Sequence, residues 1–224
     1  GQTAGRLIQL VALLTVLSLA PAILVTVTSF TRIAIVLSFT RSALGLQQTP
    51  PNMVIVSLAL FLTMFVMAPT FEAAYEQGVV PLMAEDITEE EAFPLITNPF
   101  KTFMLSQVRE EDLRLFFDLG QLEPVATPME TPFRVLIPAF MISELRRAFE
   151  IGFLIFVPFV VIDMVVASVL MSMGMLMLPP IIISLPFKIL LFVLVDGWYL
   201  VSGSLVESYG ITEQLGTVPD GGDG

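Results

Sequence analysis

The sequence predicts an all-α protein built of membrane-associated helical hairpins, four long apolar helical segments in all. An acidic helical segment outside the membrane separates the second from the third. Three observations predict this. Hydrophobic residues make up 55% of the chain and charged residues 14%, with a mean hydropathy of +0.87, whereas soluble domains run at about 45–50% apolar and about 25% charged. The apolar residues gather into four long stretches. The net charge of −11 is concentrated in residues 70–131, which carry thirteen acidic residues against Lys101, Arg109 and Arg114.

The first apolar stretch runs from Leu7 to about Phe30 and continues past Arg32 to Phe39; the second runs from Met53 to Ala68. Ile151–Leu170 and Ile181–Val201 are the third and fourth. A helix needs about 20 apolar residues, rising 1.5 Å each, to cross a bilayer. The first, third and fourth stretches meet that length, and the second is short and stops at Pro69. Residues 1–69 therefore read as a first hairpin, 70–148 as an acidic segment with its connection, and 149–209 as a second hairpin. The tail 210–224, rich in Gly and Asp, is expected to be disordered. Pro128, Pro132 and Pro138 punctuate the end of the acidic segment and place the next helix start near Pro138 or Ala139.

The first hairpin turns between Arg41 and Pro51, where Gly45 and the Pro50-Pro51 pair break the helix. Arg32 and Arg41 flank that turn, which the positive-inside rule places in the cytoplasm. The acidic segment and both termini then lie outside. The second turn, Met171–Pro180, is uncharged, and its side follows only from the parity of the spans. The chain opens on Gly1-Gln2 without Met, which a cleaved signal peptide or a trimmed start would each explain.

Composition also narrows the chemistry. The absence of cysteine excludes disulfides and thiolate metal sites, and the absence of histidine removes the commonest general base and metal ligand. No P-loop or other nucleotide motif is present, so neither catalysis nor a cofactor is expected. Nucleic acid is disfavoured as a partner, because no basic stripe exists to release counterions.

Arg32, Asp163, Lys188 and Asp196 lie inside or at the edge of apolar stretches, where each costs roughly 2.5–3.5 kcal/mol at a bilayer centre on insertion scales. Lys188 follows Pro186 closely and could snorkel; the aspartates are too short to do so. Lys188 and Asp196 are eight residues apart, about 12 Å along one helix, so their partners come from another helix or another subunit. Glu144, in Ser143-Glu-Leu-Arg-Arg147, is a candidate acid for Lys188, while Arg146 and Glu150 can satisfy each other locally.

Met171, Met173, Met175 and Met177 fill alternate positions of the second turn. That spacing suits no helical stripe, and Gly174 and Pro179-Pro180 argue that the segment leaves helical geometry. Irregular backbone at membrane depth is tolerated where protein buries it or where it lines a cavity. Flexible Met side chains could close a pore and yield to a passing chain, although Met also serves as plain apolar filler.

In order and spacing, Thr28-Ser-Phe-Thr-Arg-Ile33, Arg41-Ser-Ala-Leu-Gly45, Arg109-Glu-Glu-Asp-Leu113, Phe149-Glu-Ile-Gly-Phe153, Leu178-Pro-Pro180, Leu185-Pro-Phe-Lys188 and Val195-Asp-Gly-Trp198 carry a family resemblance. Over roughly residues 7–209 the chain resembles the FliP family of flagellar type III secretion export-gate proteins. It is similar, less closely, to the homologous injectisome subunit SctR. The resemblance implies a homo-oligomer, a pentamer, that joins FliQ and FliR subunits in a conduit for unfolded export substrates. It further implies a place in the bacterial inner membrane within the flagellar basal body, beside the MS ring and FlhA- and FlhB-type export proteins, with the acidic segment periplasmic. The family's methionine constriction falls on Met175, Leu176 and Met177, with Met173 beside them; Leu176 stands where many members carry Met. Glu144 and Lys188 match the family's acid and base, implying a charge contact in subunit packing. The alternative reading is a small ion- or proton-coupled transporter using Asp163, Asp196 and Lys188; a structural scaffold is a third.

Overall fold

The computed structural model of the chain describes residues 10–210, apart from 12, 13, 16, 17, 19, 20, 24 and 124. The tail 211–224 and the first residues of the leading apolar stretch lie outside the described residues. Among the described residues there is no strand. The helices are α1 (Phe30–Ala43), α2 (Asn52–Ala74), α3 (Val80–Met83), α4 (Glu89–Gln107), α5 (Glu110–Leu119), α6 (Phe133–Ser172), α7 (Pro180–Leu194) and α8 (Gly197–Glu207). A π-helical turn, Tyr75–Val79, joins α2 to α3.

Two boundaries differ from the sequence expectation. Helix α2 does not stop at Pro69 but carries it internally to Ala74, and α6 starts at Phe133, before Pro138. Proline removes one backbone donor and crowds the preceding turn, yet a long apolar helix tolerates it when neighbouring groups re-satisfy the freed carbonyl. The continuous run Asn52–Met83 and α6 are each long and apolar enough to cross a membrane; counting each of two bent helix pairs as one span raises the number to four. In their most apolar windows only 28% and 11% of the residues are buried by the chain's own folding.

The contacts sort into two units, neither contiguous in sequence. One comprises residues 32–69 and 144 onward. Its core holds Ala43, Leu44, Phe159 and Phe192, with Ile155, Phe156 and Trp198 packed around them. Helix α1 meets α6 closely: a Cβ at Gly152 would stand 2.5 Å from Cδ2 and 3.2 Å from Cβ of Phe39. Phe39 in turn stacks edge-on against Phe149 and Phe156. Gly197 plays the same part beside Phe192, whose ring a Cβ would approach to 2.2 Å.

The other unit comprises residues up to 31 and 70–143. Met104, Leu136 and Phe140 form its centre, with Phe103 set edge-on to Phe140. Helix α4 packs on the π turn, where Gly78 permits the backbone of Ile96 to approach. The start of α4 is a capping box. Thr88 Oγ1 accepts from the Glu91 amide, and the Glu91 carboxylate accepts from the Thr88 amide at 2.9 Å. Helix α5 is anchored by a buried polar pair: Ser143 Oγ donates to Asp112 Oδ2 at 2.6 Å and accepts from the Arg109 amide at 3.0 Å.

Candidate functional site

The charges that stand out in the apolar sequence are brought together in two clusters. In the first, Arg32 of α1 and Glu144 of α6 form an ion pair whose side chains are both 0% exposed. Arg32 Nε donates to Glu144 Oε2 at 3.0 Å and Nη2 to Oε1, a bidentate fork. Residues just past α8 complete it. Arg32 Nη1 donates to Ser208 O at 3.2 Å and Oγ at 3.0 Å, Tyr209 Oη donates to Glu144 Oε2 at 2.7 Å, and the guanidinium carbon lies 3.8 Å from the Tyr209 ring centre. Two ions taken out of water are tolerated only when their mutual attraction is backed by hydrogen bonds to the remaining donors and lone pairs. This network supplies them from three separate elements.

In the second cluster, Lys188 Nζ of α7 lies 2.6 Å from Asp163 Oδ2 of α6 and donates to Ala43 O at 3.5 Å. Ser184, one turn before Lys188, donates to the other carboxylate oxygen of Asp163. Lys188 is buried and Asp163 half-buried. The partner expected for Lys188 from sequence was Glu144; within this chain Glu144 is taken by Arg32, and Asp163 answers Lys188. The reason is topological, since Asp163 and Lys188 stand on facing helices joined by the 173–179 turn.

Asp196 has a different role. It adopts a left-handed conformation (φ 51°) at the break between α7 and α8, which diverge by 62°. Aspartate tolerates that conformation better than most residues. The side chain is exposed and makes no ion pair among the described residues.

The methionine turn follows from its end residues. Helix α6 closes in a Schellman arrangement: Gly174 is left-handed (φ 76°), its amide bonds Met171 O at 3.1 Å, and the Met175 amide reaches Leu170 O at 3.0 Å. Pro180 then occupies the first position of α7, where a missing amide hydrogen is harmless. Between these stops the turn is held away from the chain's own core. Leu176 is 78% and Met177 97% exposed, and Met173 and Met175 are exposed as well. Gly174 has nothing within 4 Å of a would-be Cβ.

Tyr209, Ser208 and Ser184 are the participants that sequence reasoning missed. The one signal available for Tyr209 was a polar aromatic placed just after the last apolar stretch. Among the described residues no three ligating side chains gather where a metal ion could be held.

Apolar helices that bury their ionic groups against one another, and are long enough to cross a bilayer, define an all-α membrane protein. The sequence pattern of the FliP family matches residues 13–205, and the chain belongs to that family. The flagellar biosynthetic protein FliP of Caulobacter vibrioides is 62% identical over 204 residues, covering 91% of this chain and 77% of that protein. Its counterpart in Bacillus subtilis is 54% identical over 202 residues, covering 90% of this chain and 91% of that protein. The FliP of Aquifex aeolicus is 51% identical over 204 residues, with 90% and 85% covered.

Proposed function

We propose that this chain is a core subunit of the flagellar type III protein export gate. In this reading several copies, a pentamer, combine with FliQ and FliR subunits around a conduit for unfolded export substrates in the bacterial inner membrane. FlhA- and FlhB-type proteins and the MS ring surround it, and the acidic segment faces the periplasm. Membership of a family whose relatives are named flagellar biosynthetic proteins supports the setting. The observation that carries the gating role is the exposed segment Met173–Met177, turned out of α6 at Gly174 and ended by Pro179-Pro180 before α7.

A ring of such turns places flexible apolar side chains in a pore. Unbranched side chains repack around whatever passes and close again behind it, and an apolar constriction blocks ions by dewetting. The buried clusters serve this arrangement by fixing the helices that carry the turn. In the assembled complex, replacing Met175 and Met177 together by alanine raises the leak of small ions while subunit stoichiometry stays the same. An unchanged leak in an assembled double variant rules out the constriction.

The Asp163–Lys188 pair between two apolar helices favours a second reading, an ion- or proton-coupled transporter. That reading requires the purified chain alone to move ions across liposomes; inertness without partners counts against it.

A further inference from the structure

We propose that the groove beside the first turn holds an acyl chain of an anionic phospholipid, with the headgroup phosphate on Arg41. The groove has a volume of about 530 Å³, with Leu44, Leu46, Ile55, Phe192 and Trp198 among its walls and Thr49 as the one polar residue lining it. Its size falls within the roughly 300–1,000 Å³ typical of small-molecule sites, and its lining is predominantly apolar side chains.

Arg41 stands beside the groove at Pro50. Its Nη1 donates to Pro50 O at 3.1 Å and to Asn52 Oδ1 at 2.6 Å, and Pro50 is itself part of the groove wall. Among the described residues no carboxylate lies within ion-pair distance of Arg41, and its Nε and Nη2 make no hydrogen bond. A half-exposed guanidinium with unused donors beside a largely apolar groove is complementary to hydrocarbon ending in a phosphate. The guanidinium fork matches phosphate oxygens in pairs.

The location agrees with a lipid source. The groove is walled by the first turns of α2, which begins a run long and apolar enough to cross a membrane. Trp198 in the wall is a residue type enriched at membrane–water interfaces. A free phosphate would leave the groove empty, and a neutral apolar ligand would leave Arg41 unanswered.

The test uses the full chain purified in detergent, stripped of lipid, and titrated with dioleoyl phosphatidylglycerol or dioleoyl phosphatidylcholine under native mass spectrometry. Wild type retains phosphatidylglycerol over phosphatidylcholine by about fivefold, the preference that one basic residue at an anionic surface supports. Inorganic phosphate alone does not displace it. Arg41→Gln removes the preference while still holding either lipid weakly, and Val54→Trp, which fills the groove, abolishes retention of both. Leu58→Trp repeats that measurement should Val54→Trp lose its helical circular dichroism. Equal retention of the two lipids by wild type, an Arg41→Gln chain that keeps the preference, or a filled groove that still holds lipid overturns the proposal. So does a wild-type assembly in which another protein chain occupies the groove. None of these outcomes touches the leak through the methionine turn, so the two readings fail separately.

Discussion

At the scale of single residues, the fold places its most expensive groups where they are most completely answered. Arg32 and Glu144 are a buried ion pair backed by Ser208 and Tyr209, and removing either ion leaves the other buried without its counter-charge. Glu144→Ala is therefore expected to destabilise the chain by about 3–5 kcal/mol. Arg146→Ala breaks the Arg146–Glu150 pair, which is more than half exposed on both sides, and should cost no more than about 0.5 kcal/mol. Thermal unfolding of both variants in one detergent checks the contrast; equal losses would mean that burial does not set the strength of these pairs. The sequence made Arg32, Asp163 and Lys188 legible as charges needing partners, because each sits where lipid or core would reject it, and it offered Glu144 as a candidate acid for Lys188. It did not show who pairs with whom. Arg32 and Glu144 are 112 positions apart, and no local rule joins them; only the docking of α1, α6 and the end of α8 does. Tyr209 was hidden because a tyrosine after an apolar helix reads equally well as an interfacial aromatic.

At the scale of elements, the ends of helices were easier to read than their interiors. Gly45 and Gly174 both proved to be left-handed helix stops (φ 77° and 76°), and the methionine turn leaves helical geometry where its glycine and prolines indicate. Pro69 and Pro138 misled, because proline marks a helix end in water more firmly than in a long apolar helix whose neighbours can repair the ladder. Asp196 reads in sequence as a misplaced charge, and within the chain it is an exposed, left-handed residue at the bend between α7 and α8. The capping box of α4 carries a pH dependence. Hydrogen bonds from the Thr88 amide first, and from its hydroxyl second, hold the Glu91 carboxyl below its usual value. A carboxyl with a lowered folded-state pKa contributes stability that is full above its unfolded value and is lost as pH falls through the folded one. Amide exchange at the start of α4 should thus quicken as pH drops through and below the ordinary glutamate range, after correction for intrinsic exchange. In Glu91→Gln that pH dependence should vanish, and its persistence would assign the effect to other carboxylates.

At the scale of the whole molecule, the decisive fact is how much apolar surface the chain leaves uncovered. Phe61, Phe65, Phe153 and Leu154 are all more than half exposed, and the α6 window is only 11% self-buried. Lipid or other protein chains must cover such surface, since an exposed apolar patch of this extent has no stable existence in water. All-α membrane architecture was legible in composition and stretch length alone. The two-unit division, joining residues 32–69 with those from 144 onward, was not, because it depends on contacts as distant in sequence as Arg32–Glu144, 112 positions apart. Assembly around the methionine turn can be tested with a single introduced thiol, because the chain contains no cysteine of its own. Two cysteines join only when their Cα atoms approach within about 7 Å. Met177→Cys, in the assembled complex under mild oxidation, is predicted to give disulfide-linked dimers of this chain. The control Met53→Cys, also highly exposed but at the start of α2, is predicted to give few. Equal cross-linking at the two positions, or none at Met177→Cys in a complex that has assembled, would contradict a turn-lined constriction.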